Sequence, residues 1–93
     1  MKFMINWQMH PGKLHEVLPK FANMPVEQDQ ALMGKDIKLI GRWHDLVRGR
    51  GVCIVESSSA EAVSKYALNW NRAMDLDISV VLEDAETRAL GKA

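Results

Sequence analysis

The stretch IKLIGRWHDLVRGRGVCIVE, residues 37–56, decides the fold. Ile37 to His44 alternates in polarity, which predicts a strand with Ile37, Leu39, Gly41 and Trp43 on one face and Lys38, Arg42 and His44 on the other. Arg50 to Glu56 carries the β-rich run Val52-Cys53-Ile54-Val55, and the charges and glycines between the two strands predict a hairpin. Arg48-Gly49-Arg50-Gly51 reads as its loop. Glycine supplies the positive dihedrals of a tight turn, and the run is too short for an RGG-type RNA contact.

Toward the N-terminus, Lys2 to Met9 alternates as a strand, with Phe3, Ile5, Trp7 and Met9 on one side, and His10-Pro11-Gly12 ends it. Leu14, Val17, Leu18 and Phe21 then recur at helical spacing, and Pro19 should kink or weaken that helix by removing a donor. In the segment from Met24 to Asp36, Pro25 and Gly34 are placed like the start and cap of a short helix. Its poor apolar pattern leaves a helix and an irregular link equally open.

Toward the C-terminus, Ser58-Ser59-Ala60-Glu61 has the form of a capping box. It opens a helix from Ser59 to Met74 with Val63, Ala67, Trp70 and Met74 on its apolar side and Tyr66 beside them. Asp75 to Glu83 returns to strand, and Asp84 to Leu90 can form a short terminal helix.

This order predicts an α+β, ferredoxin-like βαββαβ sandwich: a four-stranded antiparallel sheet with two helices on one face, in a single domain over residues 1–93. Right-handed crossovers order the strands fourth, first, third, second. The second strand and its turn carry Lys38, Arg42, Arg48 and Arg50. The fourth is surrounded by Asp75, Asp77, Glu83, Asp84 and Glu86. A homodimer that pairs these edges would match charge twice and cover the bare sheet face.

Composition narrows the partners. Of 93 residues, 47% are hydrophobic, and twelve Lys plus Arg balance twelve Asp plus Glu. That neutrality argues against a nucleic-acid or acidic-membrane partner. A single cysteine, Cys53, permits no internal disulfide. With the early polar residues Asn6 and Gln8, it leads to the expectation of a cytoplasmic protein. No apolar run has the length of a membrane span.

Met1-Lys2-Phe3-Met4-Ile5-Asn6-Trp7, Leu39-Ile40-Gly41-Arg42-Trp43-His44, Arg50-Gly51 leading to Ile54-Val55-Glu56, and Trp70 through Val80-Val81-Leu82 resemble a family of small bacterial proteins of unknown function. The family is placed in the dimeric α/β-barrel superfamily. The resemblance spans nearly the whole chain, with Met24 to Asp36 longer than the usual link. It implies two ferredoxin-like sheets packed face to face. The superfamily includes cofactor-free monooxygenases, haem-degrading enzymes, isomerases and binding or stress proteins, so it does not fix an activity. Haem degradation there is associated with an asparagine, a tryptophan and a helix-borne histidine; Asn6 and Trp70 are present, but Ser59 to Met74 holds no histidine.

Among the residues themselves, Trp7, Trp43 and Trp70, with Tyr66, are expected to gather either as core filling or as the wall of a cleft for a flat aromatic or apolar ligand. Asn6, Gln8, Arg42 and His44 should share the opposite face, toward the second sheet. If the site is catalytic, His44 is the candidate base, Arg42 the anion stabiliser and Asn6 the positioning group. His10, His15 and His44 lack the spacing of a metal site, with Asp45 the only nearby carboxylate and His10 and His44 roughly 10 Å apart at the same end of the sheet. No metal or other cofactor is expected. Cys53, within an apolar strand, should behave as a small hydrophobe. A small-molecule-binding or structural homodimer is the first reading. The alternative is a cofactor-independent monooxygenase- or isomerase-like enzyme acting on a small aromatic or apolar substrate.

Overall fold

Alternation in Lys2–Met9 produces the first strand, β1, and its buried side is the expected one: Phe3, Ile5 and Trp7 are covered while Asn6 and Gln8 are exposed. A computed structural model describes residues 1–92, in which β1 is followed by α1 (Leu14–Ala22), α2 (Val26–Met33), β2 (Lys38–Asp45), β3 (Arg50–Glu56), α3 (Ala60–Leu68), β4 (Met74–Val81) and α4 (Asp84–Gly91). The strands form one antiparallel sheet in the order β2-β3-β1-β4. This is the ferredoxin-like order that right-handed crossovers dictate. The core lies between the sheet and the helices, where Phe3, Ile5, Cys53 and Val55 meet Val63 and Tyr66 of α3, Met33 of α2 and Ile37. Among the described residues no helix is long and apolar enough to cross a membrane.

The segment after α1 resolves into a helix. Pro25 is the N-cap of α2, and Gly34 closes it at φ 85°, a backbone conformation that glycine adopts without Cβ strain. α1 runs through Pro19 without a break, and its end is tied by the Asn23 side chain donating to the Pro19 carbonyl at 2.8 Å. The third helix is shorter than the periodicity predicts. It ends at Leu68, so Trp70 lies in the following turn and Met74 opens β4. Its N-cap is Ser59, whose hydroxyl accepts from the Ala62 amide at 3.0 Å; the capping box occurs at α4 instead, between Glu83 and Glu86.

The largest departure from expectation is in β2. Leu39 pairs with Val55 and Gly41 with Ile54, so Ile40 is an extra residue opposite no partner. Such a bulge reverses the alternation beyond it. Leu39 faces the helices, as predicted. After the bulge it is Arg42 and His44 that pair with Cys53 and Gly51 on the helix side, and Gly41 and Trp43 that turn to the bare face.

Candidate functional site

α1 presents Leu14, Val17, Leu18 and Phe21 to the sheet, yet none of its residues is buried. The helix stands off, and beneath it lies an apolar cleft floored by Ile5, Trp7, Met9 and Leu76 and closed at one end by Tyr66, Trp70 and Met74. The cleft offers about 70 Å³ for the centres of water-sized spheres. On that measure one water needs roughly 10–15 Å³, so a small organic molecule fits. It is open to solvent past Leu18 and Leu46, which are 37% and 49% exposed.

The bulge decides the chemistry of this cleft. Arg42 and His44 both line it, having been turned inward. Arg42 Nη2 and Nη1 donate to the two carboxylate oxygens of Asp29 on α2, Nη1 also reaches the Tyr66 hydroxyl at 3.4 Å, and the guanidinium lies 4.9 Å above the Phe21 ring. Burial opposes the Arg42 charge, but the hydrogen bond and attraction of Asp29 outweigh it and hold the guanidinium above its ordinary pKa. His44 sits between Trp7, edge-on at 5.5 Å, and Phe21 at 5.3 Å. Burial, then the neighbouring Arg42 charge, lowers its pKa and favours the neutral ring. Burial raises the Tyr66 pKa as well, and pushes the Cys53 thiol up to about 11, which leaves it protonated and unreactive.

Gly51 makes room for Trp7. A Cβ there would overlap the indole and come within 2.6 Å of the Trp43 carbonyl oxygen. The Trp70 indole N–H is buried with no partner among the described residues. It acts on the Tyr66 hydroxyl, whose pKa it lowers against the larger effect of burial.

The expected constellation is therefore regrouped. Trp7, Tyr66 and Trp70 come together with Arg42 and His44. Trp43 does not join them: it lies 59% exposed on the other sheet face, flat against Gly41. Asn6 also faces away, in register with Val52 and Asp77, so the expected sharing of a face by Asn6, Arg42 and His44 is corrected by the bulge. Asp29 was not foreseen, because α2 has no apolar periodicity to mark its inward side. Arg42 likewise does not contribute to a positive sheet edge, since its charge is directed inward to Asp29. His10 and Asp45 have structural contacts, and His15 is exposed on α1. His10 bonds the Arg72 carbonyl at 3.2 Å and Asp75 at 3.0 Å, and Asp45 closes the hairpin through Arg50 and the Arg48 amide. Among the described residues no group of three or more His, Cys, Asp and Glu is arranged to hold a metal ion.

An uncharacterized NIPSNAP domain protein from Burkholderia xenovorans is similar in structure at 12% sequence identity, with 90% of this chain and 97% of that chain covered and a TM-score of 0.48. No curated protein matches the sequence. The model of the family described as domain of unknown function DUF3303 matches residues 1–93, the whole length, and the chain belongs to that family.

Proposed function

We propose that this protein is a homodimeric small-molecule-binding module whose ligand, small and largely apolar, occupies the cleft beneath α1. The observation that carries the reading is the stand-off of α1: an amphipathic helix with four apolar side chains toward the sheet and no buried residue. Apolar surface left uncovered beneath a helix is the usual setting of a small-molecule site. The test is a titration with small aromatic compounds followed by Trp fluorescence and amide resonances, alongside Leu18→Trp, which fills the cleft from its exposed side. Saturable shifts at Trp7, Val17 and Phe21 that vanish in the variant are expected; no response to any compound refutes the reading.

The second copy covers the bare face, where Met4, Val52 and Ile54 are half-buried and Trp43 is exposed. Both sheet edges are open, with Lys38 on β2 and Asp75 and Asp77 on β4, so a two-fold arrangement can match charge. Trp43→Asp should leave the fold intact and shift sedimentation from dimer to monomer. A wild-type protein that stays monomeric throughout a concentration series overturns the dimer.

A cofactor-independent enzyme, monooxygenase- or isomerase-like, is the second reading, favoured by the neutral His44 facing the cleft as a general base. It predicts deuterium exchange at the acidic carbon of a bound ketone, or oxygen uptake with an aromatic substrate, either one abolished by His44→Gln.

A further inference from the structure

Every residue of α4 is exposed, Leu90 by 67%, although Ala85, Ala89 and Leu90 give the helix an apolar side. A helix of this length is marginal in water unless packing supports it. Its first turn is nevertheless set in place: Glu83 and Glu86 form the capping box, and Lys2 of β1 holds Glu83 at 3.3 Å. The chain is also elongated, with a radius of gyration of 14.6 Å against about 12 Å for a compact domain of this size. At the β2 edge of the sheet, a groove of about 810 Å³ lies between α2 and β2, with Val26 67% exposed and Leu39 half-buried along it. Lys35 and Lys38 line the same groove, and neither has a carboxylate partner among the described residues. An apolar helix side without a cover and an apolar groove without an occupant thus occur in one chain.

Granted the homodimer reading above, we infer that α4 of each copy lies in the α2–β2 groove of the other. Strand register brings the two parts together. Lys38, Glu56, Lys2 and Val81 form one row across the sheet, so β2 begins and β4 ends at the same end. A two-fold axis parallel to the strands, which sets β2 of one copy beside β4 of the other, keeps that row level. The helix that follows Val81 therefore starts beside Lys38 of the second copy. Its own groove is three strand spacings away, about 14 Å, at the far edge. A helix of eight residues is about 12 Å long and 10 Å across, which suits a groove of this volume. The acidic first turn, with Asp84 and Glu86, comes to Lys35 and Lys38, while Leu90 is covered by Val26 and Leu39. The charges orient the helix, and burial of Leu90 supplies most of the affinity. Arg42 and Asp29 line the groove, and Arg42 lines the cleft as well, so the seated helix covers the outer side of that pair.

The experiment mixes two full-chain variants, Leu90→Cys and Val26→Cys, under mild oxidation and reads cross-linked pairs on a non-reducing gel. The native Cys53 is buried, and the wild-type chain serves as its control. The mixture should give a disulfide between the two variants in higher yield than either variant gives with itself. In sedimentation, Leu90→Ser should raise the dimer dissociation constant about tenfold or more, the effect of uncovering one leucine. Because Leu90 is exposed within a single chain, the variant should keep the circular dichroism of the wild type. Either a dimer without the mixed cross-link or an unchanged dissociation constant in Leu90→Ser overturns the helix exchange and leaves the dimer reading standing. A cross-link within one chain of the double variant Val26→Cys and Leu90→Cys overturns it as well, since α4 would then reach its own groove. A wild-type protein that stays monomeric throughout the concentration series overturns both.

Discussion

The same sheet face is covered in two different ways. Toward α3 it is packed: Phe3, Val55 and Val63 are at most 4% exposed and leave no room for solvent. Toward α1 the cover is loose: none of the helix residues is buried, and Arg42 and His44 line the gap. Stability and binding are thus separated along one surface. The packed half holds the fold, and the cleft can exchange its contents because α1, which covers it, has no buried residue.

Substitutions should fall into those halves by size of effect. Phe3→Ala, which empties the packed half, is expected to cost about 3–5 kcal/mol by denaturant titration. Val17→Ala on α1 should cost less than about 1 kcal/mol, because its side chain is only partly covered. Equal losses would erase the distinction. Asp29→Ala removes one partner of a largely enclosed pair, with side chains 13% and 14% exposed, and should cost about 3 kcal/mol through the stranded Arg42. Asp29→Ala together with Arg42→Met should recover much of that loss, since an apolar pair at such a place is tolerated.

Two glycines sharpen the contrast between the sheet faces. At Gly51 an added methyl meets the Trp7 ring and a backbone carbonyl, neither free to move, so Gly51→Ala should cost about 2 kcal/mol. At Gly41 the obstacle is only the ring of the exposed Trp43, which can swing out, and Gly41→Ala should cost less than about 1 kcal/mol. The smallest effect is that of pH. The folded pKa of His44 lies below its ordinary 6.5, so the unfolded chain takes up the proton first as pH falls. The stabilisation from neutral His44 is complete above that ordinary value and is lost as pH drops through the folded pKa. His44→Gln should flatten the slope of stability against pH over that interval, and an unchanged slope would show that the ring is not held neutral.

The signals in the sequence were uneven. Alternation in Phe3, Ile5 and Trp7 marked the buried side of β1, and the run Val52 to Val55 marked β3, because strand periodicity and apolar content agree there. Trp70 and Met74 continued the helical spacing of Val63 and Ala67, but the chain leaves the helix at Leu68 and uses both residues after it. Periodicity cannot distinguish a side chain on the next turn from one just beyond the end. In β2 a cue was present: a glycine inside a strand, after two consecutive apolar residues, is where bulges occur. Alternation alone instead placed Trp43 where Arg42 and His44 lie.

By itself, then, the sequence determined the strand order, the places of α1 and α3, the antiparallel sheet and the apolar residues that hold it, because these follow from local periodicity and the fixed hand of crossovers. Only the tertiary structure decided which side of β2 faces the helices and that Asp29 of α2 meets Arg42. It also decided that α1 leaves an open cleft instead of closing on Trp7. One extra residue in a ladder reverses every side chain after it, and contacts between distant segments depend on how the helices seat on the sheet, which no local pattern encodes.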